Sequence, residues 1–136
     1  AYVPQGNMIL SGTVRDNIAF FAEDVPDEMI ISSAKAACIF DYISSLPDGF
    51  DTMLGEGGAG LSEGQIQRLA VARALCTDRP VILLDEATSA LDAETEKELI
   101  ANIKKMSGKT CIFITHKTAA LEICDRVISI KNGSII

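Results

Sequence analysis

An α/β fold with a parallel sheet is predicted by two apolar runs of strand length and by the helix pattern between them. Val81-Ile82-Leu83-Leu84 ends in the adjacent acids Asp85 and Glu86, and Thr110-Cys111-Ile112-Phe113-Ile114-Thr115 ends at His116. Apolar runs of this length bounded by polar residues read as strands buried on both faces, as parallel sheets require. Between them, Asp92 is placed to cap a helix that carries Glu94, Glu96 and Glu98 early and Lys104 and Lys105 late. That charge order matches the helix dipole. Leu99, Ile100, Ile103 and Met106 share one stripe, and Gly108 stops the helix.

Upstream, residues from about 12 to 77 read as mostly helical. A short helix is expected near Val14 to Phe20, a second from Asp27 and Glu28, and a third near Cys38 to Ser45. The second would turn Ile30, Ile31, Ala34 and Cys38 to its apolar side. Ser62, followed three positions later by Gln65, is a capping-box pattern that opens a helix burying Ile66, Leu69, Ala70, the Arg73 stem and Ala74. Downstream of about residue 78, strand and helix alternate, with a further strand expected at Arg126 to Lys131. Lys131-Asn132-Gly133-Ser134 reads as the turn of a hairpin.

The chemistry concentrates where the strands end. A buried strand delivers Asp85 and Glu86 to its carboxyl end, where open α/β sheets place their ligands. One acid can hold Mg²⁺ while the next acts on water, the division of labour that nucleotide hydrolysis needs. Alone, the run reads equally as a core strand ending in solvated acids. The start of the Ser62 helix offers free N–H groups and a positive dipole end to a phosphate; alone, it is a capped helix. A single histidine is commonly structural, but His116 would emerge at the same sheet edge as Asp85 and Glu86.

At 136 residues and 48% hydrophobic content, the chain has one domain's worth of sequence and enough for a core. No apolar run approaches the ~20 residues needed to span a bilayer, and no signal peptide is recognisable. A net charge of −7 argues against a nucleic-acid surface. Cys38, Cys76, Cys111 and Cys124 lack metal-site spacing and read as reduced residues, three of them within apolar segments.

Taken in order, the motifs resemble those of the nucleotide-binding domain of ATP-binding cassette (ABC) transporters. Val3-Pro4-Gln5 resembles the family's Q-loop, Leu61-Ser62-Glu63-Gly64-Gln65 its signature motif, and Val81 to Asp85 its Walker B strand. Glu86 stands where the catalytic carboxylate would be. Ser89-Ala90-Leu91-Asp92 resembles the D-loop, and His116 the switch histidine. The segments Ile9 to Ile18 and Leu46 to Gly58 resemble the exporter branch. The resemblance covers Gln5 to His116 and implies a partial P-loop NTPase fold. Residues of about 12–77 would form the helical subdomain and about 78–136 the carboxyl-terminal half of the ATPase core.

Two departures stand out. The signature's usual third residue is Gly, and here it is Glu63, which is expected to point aside from a bound phosphate. No G-x-x-x-x-G-K-[ST] loop occurs. Gly55, Gly57 and Gly60 fit G-x-G-x-x-G, but no strand–helix–strand unit supports them. Gly55 to Ser62 fits the phosphate-loop spacing with Leu61 at the lysine position, which supplies no charge. In the family the phosphate loop lies upstream of the Q-loop, so the chain is expected to be an excised piece with an exposed apolar sheet edge. Alone it is expected to be inactive, less stable and prone to dimerise.

The resemblance implies a parent in which two nucleotide-binding domains, alike or different, sandwich two ATP molecules. Asp85 and Gln5 would hold Mg²⁺, Gln5 and Glu86 would act on the attacking water, and His116 would contact the γ-phosphate. Ser62, Gly64 and Gln65 would meet nucleotide from the opposite domain, and Asp92 would link the two sites. Its partners would be the transporter's membrane domains, at the cytoplasmic face of the cell membrane. Two alternatives are a chromosome-maintenance or DNA-repair ATPase of the same superfamily, and a non-catalytic interaction half-domain. Val14 to Phe50 shows neither the heptads nor the basic faces of the former.

Overall fold

A computed structural model describes residues 1–6, 8–118 and 120–136. In chain order the elements are β1 (Tyr2–Val3), β2 (Gly12–Thr13), α1 (Val14–Ala19), α2 (Asp27–Ala36), α3 (Phe40–Ser45), β3 (Met53–Leu54) and α4 (Glu63–Cys76). Then follow β4 (Val81–Asp85), α5 (Ala93–Lys104), β5 (Thr110–Ile114), β6 (Ile130–Lys131) and β7 (Ser134–Ile135). Strands β1, β4 and β5 form one parallel sheet with β4 in the middle. This is the α/β architecture that the two apolar runs predict.

Helix α4 organises the molecule. Its start is fixed by the expected capping box: Ser62 Oγ accepts the Gln65 N–H at 3.2 Å, and Gln65 Oε1 accepts the Ser62 N–H at 2.8 Å. Beyond its first turn it buries Gln67, Leu69, Ala70, Val71, Ala72, Ala74, Leu75 and Cys76, leaving Ile66 and Arg73 half-buried. The single apolar stripe predicted for it is too narrow. The reason is that α4 packs against α1 and α2 on one side and β1 and β4 on the other, so two faces need covering. Alanines at 70, 72 and 74 let the neighbours approach closely. Each fully buried Leu or Ile in this core contributes about 1.5–3 kcal/mol, and the buried residues form one continuous cluster.

Several boundaries and faces depart from expectation. Helix α2 ends at Ala36 and buries Ile30, Ser33 and Ala34, with Ile31 half-buried. Cys38 lies beyond it with φ +57°, outside any helix. Strand β4 is fully buried at Ile82 and Leu84 but only half-buried at Leu83. On β5, Ile112 and Ile114 are 49% and 48% exposed. The sheet is therefore packed on one face and open on the other, rather than covered on both. The expected strand at Arg126–Lys131 shrinks to Ile130–Lys131, paired only with β7, because no main-sheet strand lies beside residues 126–129. The hairpin turn is as predicted, with Asn132 at φ +51° and Gly133 at φ +77°.

Candidate functional site

The parallel register decides which residues meet. Val3 pairs with Leu84, and Asp85 with Ile114. Gln5 comes two residues after β1, Asp85 ends β4 with Glu86 next to it, and His116 comes two residues after β5, so all four lie at or just past the carboxyl ends of parallel strands. Gln5 is exposed there. Asp85 Oδ2 accepts a hydrogen bond from the Tyr2 hydroxyl at 3.2 Å. Glu86 adopts φ +50°, a left-handed conformation that costs a non-glycine residue about 1–3 kcal/mol and clusters at functional sites. It is held there by its N–H, which donates to Ile114 O at 2.9 Å. His116 Nε2 lies 3.3 Å from Glu86 Oε1; the imidazole is 95% exposed and the carboxylate 16%.

The second cluster forms where α4 begins. Ser62, Glu63, Gly64, Arg68, Ala90, Leu91, Asp92 and Thr95 line an open depression of about 500 Å³. Glu63 is exposed on its rim, with no ion pair among the described residues. Gln65 is committed to the capping box. Gly64 lies close to the loop opposite: a Cβ there would stand 3.3 Å from Ala90 O and 3.4 Å from Leu91 Cδ2, so the loop would have to give way slightly. Asp92 caps α5, as predicted, accepting the Thr95 N–H at 2.9 Å and the Thr95 hydroxyl at 2.7 Å. The backbone bond first and the hydroxyl second hold its carboxyl below the usual carboxylate range.

The loop from Glu86 to Asp92 joins the two clusters, and buried polar residues absent from the sequence reading fix it. Gln67 Nε2 donates to Ser89 Oγ at 2.7 Å, and Gln67 Oε1 accepts the Ala90 N–H at 2.9 Å. Asn17, fully buried, does the same for the segment after Gln5: its side chain bonds Leu10 N, Leu10 O and Thr13 O. Arg73 clamps this corner through Asn17 O, Asn17 Oδ1 and Met8 O at 2.6–2.8 Å. The sequence offers no signal for them: Gln67 itself stands between Ile66 and Arg68 in a polar helix start.

Residues 1–89 match the family described as ABC transporter. The chain belongs to the ABC transporter family. Over 137 residues this ABC chain is 43% identical to the "ATP-dependent lipid A-core flippase" of Desulfotalea psychrophila, covering 100% of itself and 24% of the flippase. It is 43% identical over 136 residues to the lactococcin-G-processing and transport ATP-binding protein LagD of Lactococcus lactis subsp. lactis, covering 99% of itself and 19% of LagD. Its fold superposes on a bacterial Atm1-family ABC exporter solved with ATP bound, with a TM-score of 0.92 and 34% identity. That match covers 100% of this chain and 24% of the exporter chain. The ABC chain thus spans about a quarter or less of these relatives. Among the described residues, no helix is long and apolar enough to cross a membrane.

Proposed function

We propose that this chain is part of the ATP-binding and hydrolysing domain of an exporter-type ABC transporter. In the intact parent it would couple ATP-driven closure of two nucleotide-binding domains to movement of a membrane-embedded partner, at the cytoplasmic face of the membrane. The observation that carries the reading is the sheet edge: Asp85 and Glu86 in succession at the end of β4, with His116 Nε2 3.3 Å from Glu86 Oε1. The helices α1 to α3 support the exporter reading over a chromosome-maintenance ATPase, because residues 14–45 fold as three short helices rather than a long arm. The helical subdomain would run to about residue 77, and the half ATPase core from about 78.

Asp85 and Gln5 would hold Mg²⁺. The donor chemistry fits, since the Asp85 carboxylate and the Gln5 amide both offer the oxygen ligands that Mg²⁺ takes. Mg²⁺ typically takes one or two carboxylates and completes its shell with water and substrate phosphates. When bound, it would offset the charge that builds on the transferring phosphate oxygens. Tyr2 orients Asp85 from its side through Oδ2. Glu86 would accept a hydrogen bond from the attacking water and turn it towards the γ-phosphate. His116 would hold Glu86 in line and reach the phosphate itself, which its exposure permits. Ser62 and the Gly64 N–H, at the positive end of α4, suit a phosphate presented by a second domain, with Asp92 across the same depression.

In the intact parent, Glu86→Gln is expected to slow turnover by about 10²–10⁴ and leave ATP trapped. Rapid turnover by that variant would overturn the assignment. For the 136-residue chain alone, calorimetric titration with Mg²⁺-ATP is expected to show no heat up to millimolar nucleotide, since its 136 residues contain no G-x-x-x-x-G-K-[ST] loop. Micromolar binding would mean the chain builds a phosphate cradle of its own.

A further inference from the structure

Lys117 follows His116, yet its side chain serves a different part of the molecule. Its ammonium donates to the carbonyl oxygens of Thr88 at 2.9 Å and Leu91 at 2.5 Å, and stands 3.9 Å from Glu96 Oε2. Glu96 is fully buried, a position acids almost never take unless paired. Thr88 Oγ1 donates to Glu96 Oε1 at 2.6 Å, whereas Oε2 has no hydrogen-bond partner. Among the described residues, Lys117 supplies the one cation within ion-pair distance of that carboxylate. The Lys117 N–H also donates to Thr115 Oγ1 at 3.0 Å, which fixes the turn on which His116 sits.

Stability alone gives little reason for burying Glu96 beside the half-buried Lys117, because replacing such pairs with well-packed apolar residues is often neutral or stabilising. What the pair adds is geometry. Its acceptors lie on the 86–92 loop and on α5, its donor on the residue after His116, and the same loop begins with Glu86. We propose that Lys117 is a positioning residue: by tying His116 to the 86–92 loop through Thr88, Leu91 and Glu96, it sets the separation of His116 from Glu86. It also makes that separation sensitive to displacement of the loop that ends in Asp92. The inference rests on the ATPase reading given above and assigns one more residue to it.

The test uses the intact parent protein and four substitutions. Lys117→Met is expected to lower kcat about tenfold or more while KM for Mg²⁺-ATP changes less than about twofold, the signature of an interaction needed only in the transition state. Lys117→Arg keeps the charge but carries a bulkier planar head, and is expected to restore kcat in part, to well above the methionine variant. Lys117→Met strands a buried carboxylate and can unfold the domain, so Lys117→Met/Glu96→Gln is the second probe. The neutral pair is expected to recover the wild-type melting temperature while kcat stays low. Wild-type kcat in that double variant would overturn the proposal, as would an arginine no better than methionine. Glu86→Gln separates the two levels: normal turnover there sinks the ATPase reading itself, whereas a Glu86→Gln defect beside an unaffected Lys117→Met sinks only the positioning role.

Discussion

Buried amides and thiols make the sharpest residue-scale predictions. Gln67→Leu fills similar volume but leaves the Ala90 N–H without its acceptor; the expected loss is about 1–3 kcal/mol by urea denaturation. A loss below about half of that would mean water takes the acceptor's place. Burial, with a smaller contribution from Cys124, pushes the Cys111 thiol up from 9.0 to about 12. A raised value in the folded state stabilises the protonated form. Its contribution is fully present below pH ~9, and is lost as pH rises through the folded value while the unfolded thiol ionises first. Stability should therefore fall with pH above ~9, and Cys111→Ala should flatten that slope; identical slopes for the two chains would refute the burial account. Burial raises the Cys38 and Cys76 thiols too, so alkylation near neutral pH should be slow until the chain is unfolded. The residues legible in the sequence were those with local patterns. Asp85 and Glu86 end an apolar run, Ser62 and Gln65 are three apart, and His116 closes a strand. Gln67, Asn17, Glu96 and Lys117 were not legible as a network, because their partners lie up to 56 residues away and only the folded chain brings them together.

At the scale of elements, α4 carries opposed effects at a single position. Gly64→Ala should strengthen the helix by up to about 1 kcal/mol, while its new methyl group must displace the Ala90 carbonyl 3.3 Å away. The expected outcome is a melting temperature close to wild type with reduced turnover of the intact parent. A lower melting temperature with undiminished turnover would show that the loop yields without consequence. The same helix explains a misjudged pattern. A 3.6-residue stripe predicts one buried face, and α4 has two because it lies between a helical layer and a sheet. Helix α5 followed its pattern in part: Leu99, Ile100 and Ile103 are buried and Asp92 caps it, but Glu96, one of its early acids, is buried as well, and Met106 lies half-buried beyond the helix end at Lys104.

For the whole molecule, the open face of the sheet is the dominant feature. Ile112 and Ile114 stand about half-exposed opposite their register partners Leu83 and Asp85, and among the described residues β5 has a strand partner on one side only. An exposed apolar face beside an unpaired strand edge invites association. Sedimentation of the isolated chain should show concentration-dependent dimers that Ile112→Thr/Ile114→Thr weakens; a monomer across the micromolar range would count against this. The α/β class and the parallel pair were legible because β4 and β5 are short apolar runs flanked by helices. Which face stayed open was not, since an apolar run carries no sign of which of its two faces is covered.

The strand β5 also writes a rhythm into the backbone. The Thr110 N–H donates to Pro80 O, and Ile114 O receives the Glu86 N–H, so residues 110, 112 and 114 turn their peptide groups towards β4. Those of Cys111 and Phe113 turn the other way, towards a hollow of about 610 Å³ bordered by α5 and residues 120–128. Amide protons along this one strand should exchange with deuterium in alternation, fast at 111 and 113 and slow at 112 and 114. Any strand that docks there would announce itself by evening out that rhythm.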